Sequence, residues 1–169
     1  MTNENIKIED NFLDQEEFDK IQKTMMGDNF PWFLNVDQYL HEFHITHLVY
    51  FNSAPNGEIE LMRPILDVLD PVSLFRIKAN LITKTPEIVE SEWHSDMMFL
   101  LEEKREQWTT SIFYVNTNNG YTKFEDGTKV ESVANRMVTF PVNMKHLGAT
   151  CTDQHFRTVI NFLYFKNTL

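Results

Sequence analysis

His94 and Asp96 stand one residue apart in SEWHSDMMF (Ser91 to Phe99), with Trp93 on one side and Met97 and Met98 on the other. On a strand, residues i and i+2 point to the same face, so an imidazole and a carboxylate would lie side by side. That arrangement suits two cis ligands of a metal. Two ligands are too few, so a metal site requires a third His or carboxylate elsewhere in the chain. A nucleophilic site would require a Ser or Cys partner instead. An inert surface pair is the plain alternative, because a His and an Asp two apart are common by chance.

The other histidines differ in what they offer. His41, His44 and His47 lie in HEFHITH, a near miss for the zinc-protease motif, with Ile45 where the second histidine should stand. Their three-residue repeat shares a face only on a helix, and the segment is expected to be packed surface or part of a pocket lid. His155 sits in the polar stretch TDQHF, as a solvated loop residue would. His146 follows a strand-like run and a proline in FPVNMKHLGAT, and Arg157 opens the apolar run RTVINFLYF eleven residues later. An arginine at the start of a buried strand must pair with an anion or reach solvent, and an ordinary salt bridge would satisfy it. Taken in order, His-x-Asp, a distal His and that Arg form a constellation. Two histidines and one carboxylate on one face of iron leave the opposite positions open.

The elements that would position these residues are mostly strands. HLVYFN, LFRIKANLIT, TTSIFYVNT, RMVTFPV and RTVINFLYF are short β-branched or aromatic runs. NTNNG and EDGT carry the Asn-Gly and Asp-Gly signals of hairpins. Ahead of them, Ile6 and Ile8 alternate, Asp14 is a candidate N-cap, and Phe18, Ile21 and Met25 follow at helical spacing. ELMRPILDVLD is a second candidate helix, interrupted early by Pro64. The expected architecture is mainly β with flanking helices, a β-sandwich or jelly roll.

Composition bounds the rest. The 169 residues fit one domain with a real core, and 14 Phe, 5 Tyr and 3 Trp mark a globular chain. No apolar run approaches a membrane span. Cys151 is the sole cysteine, so an internal disulfide is ruled out and an intracellular site is expected. The opening MTNENIKIED lacks the build of a signal peptide. A net charge of −10 disfavours a nucleic-acid partner, which needs a basic face.

With these residues in order, the sequence resembles the Fe(II)/2-oxoglutarate-dependent oxygenase superfamily, over about Ile6 to Phe165. It is closest in style to the compact prolyl-4-hydroxylase-like members, including small ones encoded by phages. IEDNFLDQEEFDKI is similar to the family's opening strand and first helix, SIFYVNTNNGYTKFEDGT to its strand and hairpin, and NRMVTFPVNMKHLGAT to its distal-histidine stretch. The resemblance implies one oxygenase domain over residues 1–169 with a double-stranded β-helix (jelly roll). It implies Fe(II) on His94, Asp96 and His146, with 2-oxoglutarate and dioxygen as cosubstrates. Arg157 would bind the distal carboxylate of 2-oxoglutarate, a task its planar fork suits. Many members carry a hydroxyl two residues after that Arg; here the position is Val159, so any helper must come from elsewhere.

A second cosubstrate contact is expected from the strand before His-x-Asp. RIKANLIT offers Asn80, with Lys78 and Arg76 on the same face of a regular strand. Tyr114 and Asn161 are further pocket candidates, Asn161 sharing the alternation of Arg157 and Val159. Trp93, Phe99, Met97 and Met98 are expected to pack around and shield the site. The implied reaction hydroxylates an unactivated C–H bond. The substrate would be a prolyl or other residue of a protein or peptide, or else a free amino acid or metabolite. A mobile rim is expected at MMFLLEEKREQW. A cupin-like binding protein without redox chemistry is the rival from another class. The expected compartment is the cytoplasm, the host's for a phage-encoded chain.

Overall fold

In the computed structural model, residues 4–37 and 42–166 are described. The chain runs β1 (Lys7–Glu9), α1 (Gln15–Met25), β2 (Phe33–Asp37), β3 (Glu42–Phe51) and β4 (Ala54–Pro55). A 3-10 turn (Ile59–Met62) leads into α2 (Arg63–Leu69) and then β5 (Ser73–Thr83). After α3 (Glu102–Arg105) come β6 (Trp108–Tyr114), β7 (Tyr121–Phe124), β8 (Lys129–Glu131), β9 (Arg136–Pro141), β10 (His146–Gly148) and β11 (Phe156–Phe165).

The strands form two antiparallel sheets. The large one has the order β1-β9-β6-β11-β5-β3-β2, with β4 hanging on β3. The small one has the order β10-β7-β8. Isolated bridges Glu90↔Ala149 and His94↔His146 lay the chain before Asp96 along the free side of β10, as an irregular extra strand. This is a jelly roll with helices outside, as the strand-rich sequence implies.

Alternation on the central strands assigns each face. Ile160, Phe162 and Tyr164 of β11 point to the outer side, where they join Ile77 and Ala79 of β5 and Phe113 of β6. Helix α1 covers this side with Phe18, Ile21 and Met25, each buried. Full burial of one such side chain is worth about 1.5–3 kcal/mol, so these three contacts decide where the helix docks. Glu16 and Glu17 in its first turn and Lys23 in its last match the helix dipole. Pro64 sits in the first turn of α2, where a missing N–H costs nothing, so it starts that helix rather than interrupting it.

The inner face carries Ile112, Tyr114, Val138, Phe140 and Val159, packed against Phe124 and Val130 of the small sheet. The same alternation turns Arg157 and Asn161 of β11 inward. Their partners across the ladder on β5 are Ile82 and Lys78, so Arg76, Lys78 and Asn80 share that face.

Of three local expectations, one holds and two change. EDGT does close the β7–β8 hairpin, with Gly127 at φ 90° and Phe124 N–H donating to Thr128 O at 2.8 Å. NTNNG does not make a hairpin: β6 pairs with β9 and β11, and β7 with β8 and β10. The Asn-Gly stretch instead carries the chain from the large sheet to the small one. HEFHITH is strand from Glu42 on, so His44 and His47, an odd number apart, face opposite ways.

Candidate functional site

His94 and His146 meet through their backbones first. His94 N–H donates to His146 O at 3.0 Å and His146 N–H to His94 O at 2.8 Å. This reciprocal pair brings the two imidazoles together, tilted by 53° with ring centroids 4.5 Å apart. Asp96 is not on a regular strand. Its N–H donates to Val142 O, and the chain turns at Met97, whose φ is 53°. The carboxylate is buried, with Oδ2 4.0 Å from His146 Nε2. Thr110 of β6 donates its hydroxyl to the same Oδ2 at 2.8 Å, and Arg76 of β5 approaches Oδ1 at 3.5 Å.

The two rings are held in one tautomer. His94 Nδ1 lies 3.2 Å from Glu92 O and His146 Nδ1 lies 3.0 Å from Met144 O. A carbonyl accepts only, so each Nδ1 carries the proton and each Nε2 keeps its lone pair. Burial pushes the His146 pKa below its ordinary 6.5, against the opposing pull of Asp96, and favours the neutral form a metal needs. Among the described residues no group of three His, Cys, Asp or Glu side chains is placed to hold a metal ion as it stands, and Asp96 gives Oδ1 to Arg76. The donor chemistry nevertheless fits a divalent cation: two imidazoles whose Nδ1 atoms are engaged and whose Nε2 atoms are left for a ligand, one carboxylate, and an outer partner for each.

Arg157 is 3 % exposed, and its fork has hydroxyls for partners. Nε donates to Ser132 Oγ at 2.7 Å and Nη2 to Thr122 Oγ1 at 3.2 Å. Its carbon Cζ lies 5.5 Å from the centre of the Tyr114 ring, and the Tyr114 hydroxyl donates to the same Thr122 oxygen. No carboxylate among the described residues is within ion-pair distance of it, so the ordinary salt bridge is not what satisfies this cation. Burial lowers its pKa, yet a guanidinium stays charged in a protein. The backbone on either side is clamped by Asn116, which accepts from Thr158 N–H at 2.9 Å and donates to Phe156 O at 2.8 Å. Gly120 closes over the arginine stem.

Other sequence-predicted residues fall as follows. Tyr114 packs beneath Arg157, and burial raises its phenol pKa. Asn80 lies across from Val159 and donates to Lys78 O at 3.3 Å. Asn161 faces the same interior, and its Oδ1 is buried with no donor. Burial lowers the pKa values of Arg76 and Lys78, and for Lys78 the charge of Arg76 adds to it. His47 is buried on the other side of the sheet, its Nδ1 2.7 Å from Pro31 O, and takes no part in the site. His44 and His155 are exposed, and His41 lies outside the described residues. Met97 is buried near the site, but Trp93 is 45 % and Met98 71 % exposed, so these two do not shield it. Trp93 turns outward beneath Lys123, whose Nζ is 5.9 Å from the ring centre.

Thr110, Thr122, Ser132, Asn116 and Gly120 were not singled out from sequence. A threonine in a strand looks like β-propensity alone, and only the ladder shows which hydroxyl meets which charge.

No protein-family model matches the chain, and no curated protein is significantly similar to it in sequence. Solved structures are similar in shape. The epimerase SnoN in complex with Fe3+, alpha ketoglutarate and nogalamycin RO matches at TM-score 0.67 and 11 % identity, over 97 % of this chain and 80 % of that one. A Trichoplax adhaerens prolyl hydroxylase in complex with a hypoxia inducible factor peptide matches at 0.64 and 10 %, over 96 % and 84 %. The viral collagen prolyl hydroxylase of Paramecium Bursaria Chlorella virus-1, in its 2OG complex, matches at 0.59 and 13 %, over 98 % of both chains. At such identities the likeness fixes the fold alone: this chain has the jelly-roll fold of these non-heme alpha ketoglutarate enzymes and prolyl hydroxylases.

Proposed function

We propose that the chain is an Fe(II)- and 2-oxoglutarate-dependent oxygenase that hydroxylates an unactivated C–H bond. One observation carries the reading: Arg157 is a buried cation in a jelly roll with no carboxylate among the described residues within ion-pair distance, and it faces the same interior as the His94–Asp96–His146 cluster. Leaving such a charge unpaired costs several kcal/mol, so the site is built to receive an anion.

His94, Asp96 and His146 would hold Fe(II), and Arg157 the distal carboxylate of 2-oxoglutarate. With both bound and dioxygen supplied, the chemistry converts 2-oxoglutarate to succinate and carbon dioxide and places one oxygen atom in a C–H bond. The chain's own part is positioning. Glu92 and Met144 carbonyls aim the imidazoles, Thr110 aims the carboxylate, and Ser132 and Thr122 aim the guanidinium fork. Tyr114, Val159 and Ile112 line an apolar wall that keeps water from the reacting centre.

The substrate reading begins with a residue of a protein or peptide, prolyl in the first instance, in line with the two prolyl hydroxylases of similar shape. A small molecule is the second reading, and the cations Arg76 and Lys78 beside Asp96 favour it. The cytoplasm is the proposed compartment, on the strength of a single buried free thiol, Cys151.

The test is succinate release from 2-oxoglutarate under air with Fe(II), alongside Mn(II)-supported binding of 2-oxoglutarate without oxygen. Both are expected in the wild type and both should fail without metal. A protein that binds 2-oxoglutarate equally well after chelation would be a cupin-like binder rather than an oxygenase.

A further inference from the structure

The reaction leaves Arg76, Lys78 and Asn161 without a task. They sit together on the inner face of the large sheet, with Lys78 directly across from Asn161 and Arg76 across from Leu163. Arg76 reaches one carboxylate, Asp96 Oδ1, at a long 3.5 Å, and its Nε is buried with no acceptor. Lys78 is half-buried, and no carboxylate among the described residues is within ion-pair distance of it. Asn161 Oδ1 is buried and accepts no hydrogen bond, even from the lysine opposite.

The whole chain carries a net charge of −10, yet here two cations share one carboxylate that an iron ion would claim. Half-buried cations need an anion or water, and a buried amide oxygen needs a donor. The two carboxylates of 2-oxoglutarate do not supply the missing anion, since one belongs at Arg157 and the other at the metal. Position agrees. Arg157 pairs with Ile82 and Leu163 with Arg76, so the arginines mark opposite ends of a stretch of β11 about 20 Å long at about 3.3 Å per residue. Arg76 also meets Asp96 through Oδ1, whereas His146 lies on the Oδ2 side. Beyond Arg76 the wall turns apolar, with Phe75, Trp108, Leu163 and Met97 packed together.

We propose that Arg76 and Lys78 form a second anion subsite that takes the α-carboxylate of the primary substrate, with Asn161 Oδ1 accepting an N–H beside it. The inference rests on the oxygenase reading and narrows its substrate to an α-amino acid, free or as the C-terminal residue of a peptide. The apolar wall then receives the side chain, beside Asp96, which would hold the metal.

The experiment titrates the protein, with and without Mn(II) and 2-oxoglutarate, against three pools of the protein amino acids: free acids, N-acetyl acids and N-acetyl amides. The acids should bind at least about tenfold more tightly than the amides, as expected when a charged group loses its partner. Preference for the free over the N-acetyl acids identifies a free amino acid, and the reverse identifies a chain terminus. Arg76→Gln and Lys78→Met should each weaken acid binding by about tenfold or more, and Lys78→Met keeps the stem that packs on the sheet. Arg157→Ala should weaken binding of 2-oxoglutarate and spare that of the acids. Equal binding of acids and amides, wild-type affinity in both β5 variants, or silence from every acid pool would overturn the subsite. Absence of Mn(II)-supported 2-oxoglutarate binding in the wild type would overturn the oxygenase reading instead, and the metal-free titrations would still decide the subsite.

Discussion

Gly120 lies against Arg157 so closely that a Cβ at position 120 would stand 2.7 Å from the arginine's Cδ. It would also stand 2.8 Å from Asn118 Oδ1 and 2.9 Å from the Thr150 carbonyl oxygen. Asn118 is tied down by its bonds to Gly120 N–H and Asn116 O, so the arginine stem is what must give. Gly120→Ala should therefore cost about 1–3 kcal/mol of stability, the usual range for overpacking. It should also lower 2-oxoglutarate affinity while Mn(II) affinity holds. Calorimetric titration with each ligand checks this, and wild-type 2-oxoglutarate binding would refute it.

Arg157→Ala removes the cation itself and should weaken 2-oxoglutarate binding by about 2–5 kcal/mol, with metal binding intact. Arg157→Lys should recover only part, because an ammonium cannot reproduce the fork that Ser132 and Thr122 hold. A protein that turns over 2-oxoglutarate normally with alanine at 157 would place the cosubstrate carboxylate on another cation, Lys78 being the first to examine.

Thr110 acts through Asp96. Thr110→Val deletes the 2.8 Å bond to Oδ2 and should lower Mn(II) affinity by about 10- to 100-fold, as loss of an outer-shell partner does. Thr110→Ser should restore it, since the hydroxyl returns. If valine and serine bind the metal alike, the hydroxyl has no positioning role.

The ion pair Asp10–Arg136 joins the end of β1 to the start of β9, through Nε to Oδ1 at 2.5 Å and Nη2 to Oδ2 at 2.9 Å. The hydrogen bond from Arg136 holds the Asp10 carboxyl below its ordinary 3.8. The unfolded chain therefore takes up the proton first as pH falls. The stabilisation is complete above the ordinary value and is lost as pH drops through the lowered one. Asp10 is 54 % exposed, so the pair is worth only about 0.2–1 kcal/mol and weakens with salt. Thermal unfolding of Asp10→Asn should lie below wild type at pH 7 and converge with it in acid. A gap that stays constant with pH would contradict the assignment.

Much of the fold was legible because its central strands are buried on both faces, and short, nearly continuous apolar runs such as RTVINFLYF mark them. The Asn-Gly turn was misplaced because a crossing between sheets and a hairpin reversal call for the same turn chemistry, and pairing partners are not written locally. HEFHITH was open between helix and strand until its neighbours β2 and β5 supplied a ladder. At the site, residue types pointed to His94, Asp96, His146 and Arg157. The hydroxyls that orient them were hidden, since Thr110, Thr122 and Ser132 gain meaning only when two sheets face each other. The salt bridge weighed for Arg157 is absent among the described residues, a fact about spatial neighbours that an acidic composition would not suggest.

The side-chain bonds that orient Asp96 and Arg157 join distant parts of the chain. Thr110 reaches Asp96 across 14 residues, Ser132 reaches Arg157 across 25, and Thr122 reaches Arg157 across 35. The reciprocal backbone bonds between His94 and His146 close a longer loop still. Such loops cost entropy to close, so the ligand cluster is expected to assemble late in folding. A metal held by His94, Asp96 and His146 would then meet a finished fold rather than a nascent peptide, and its removal should leave the barrel standing.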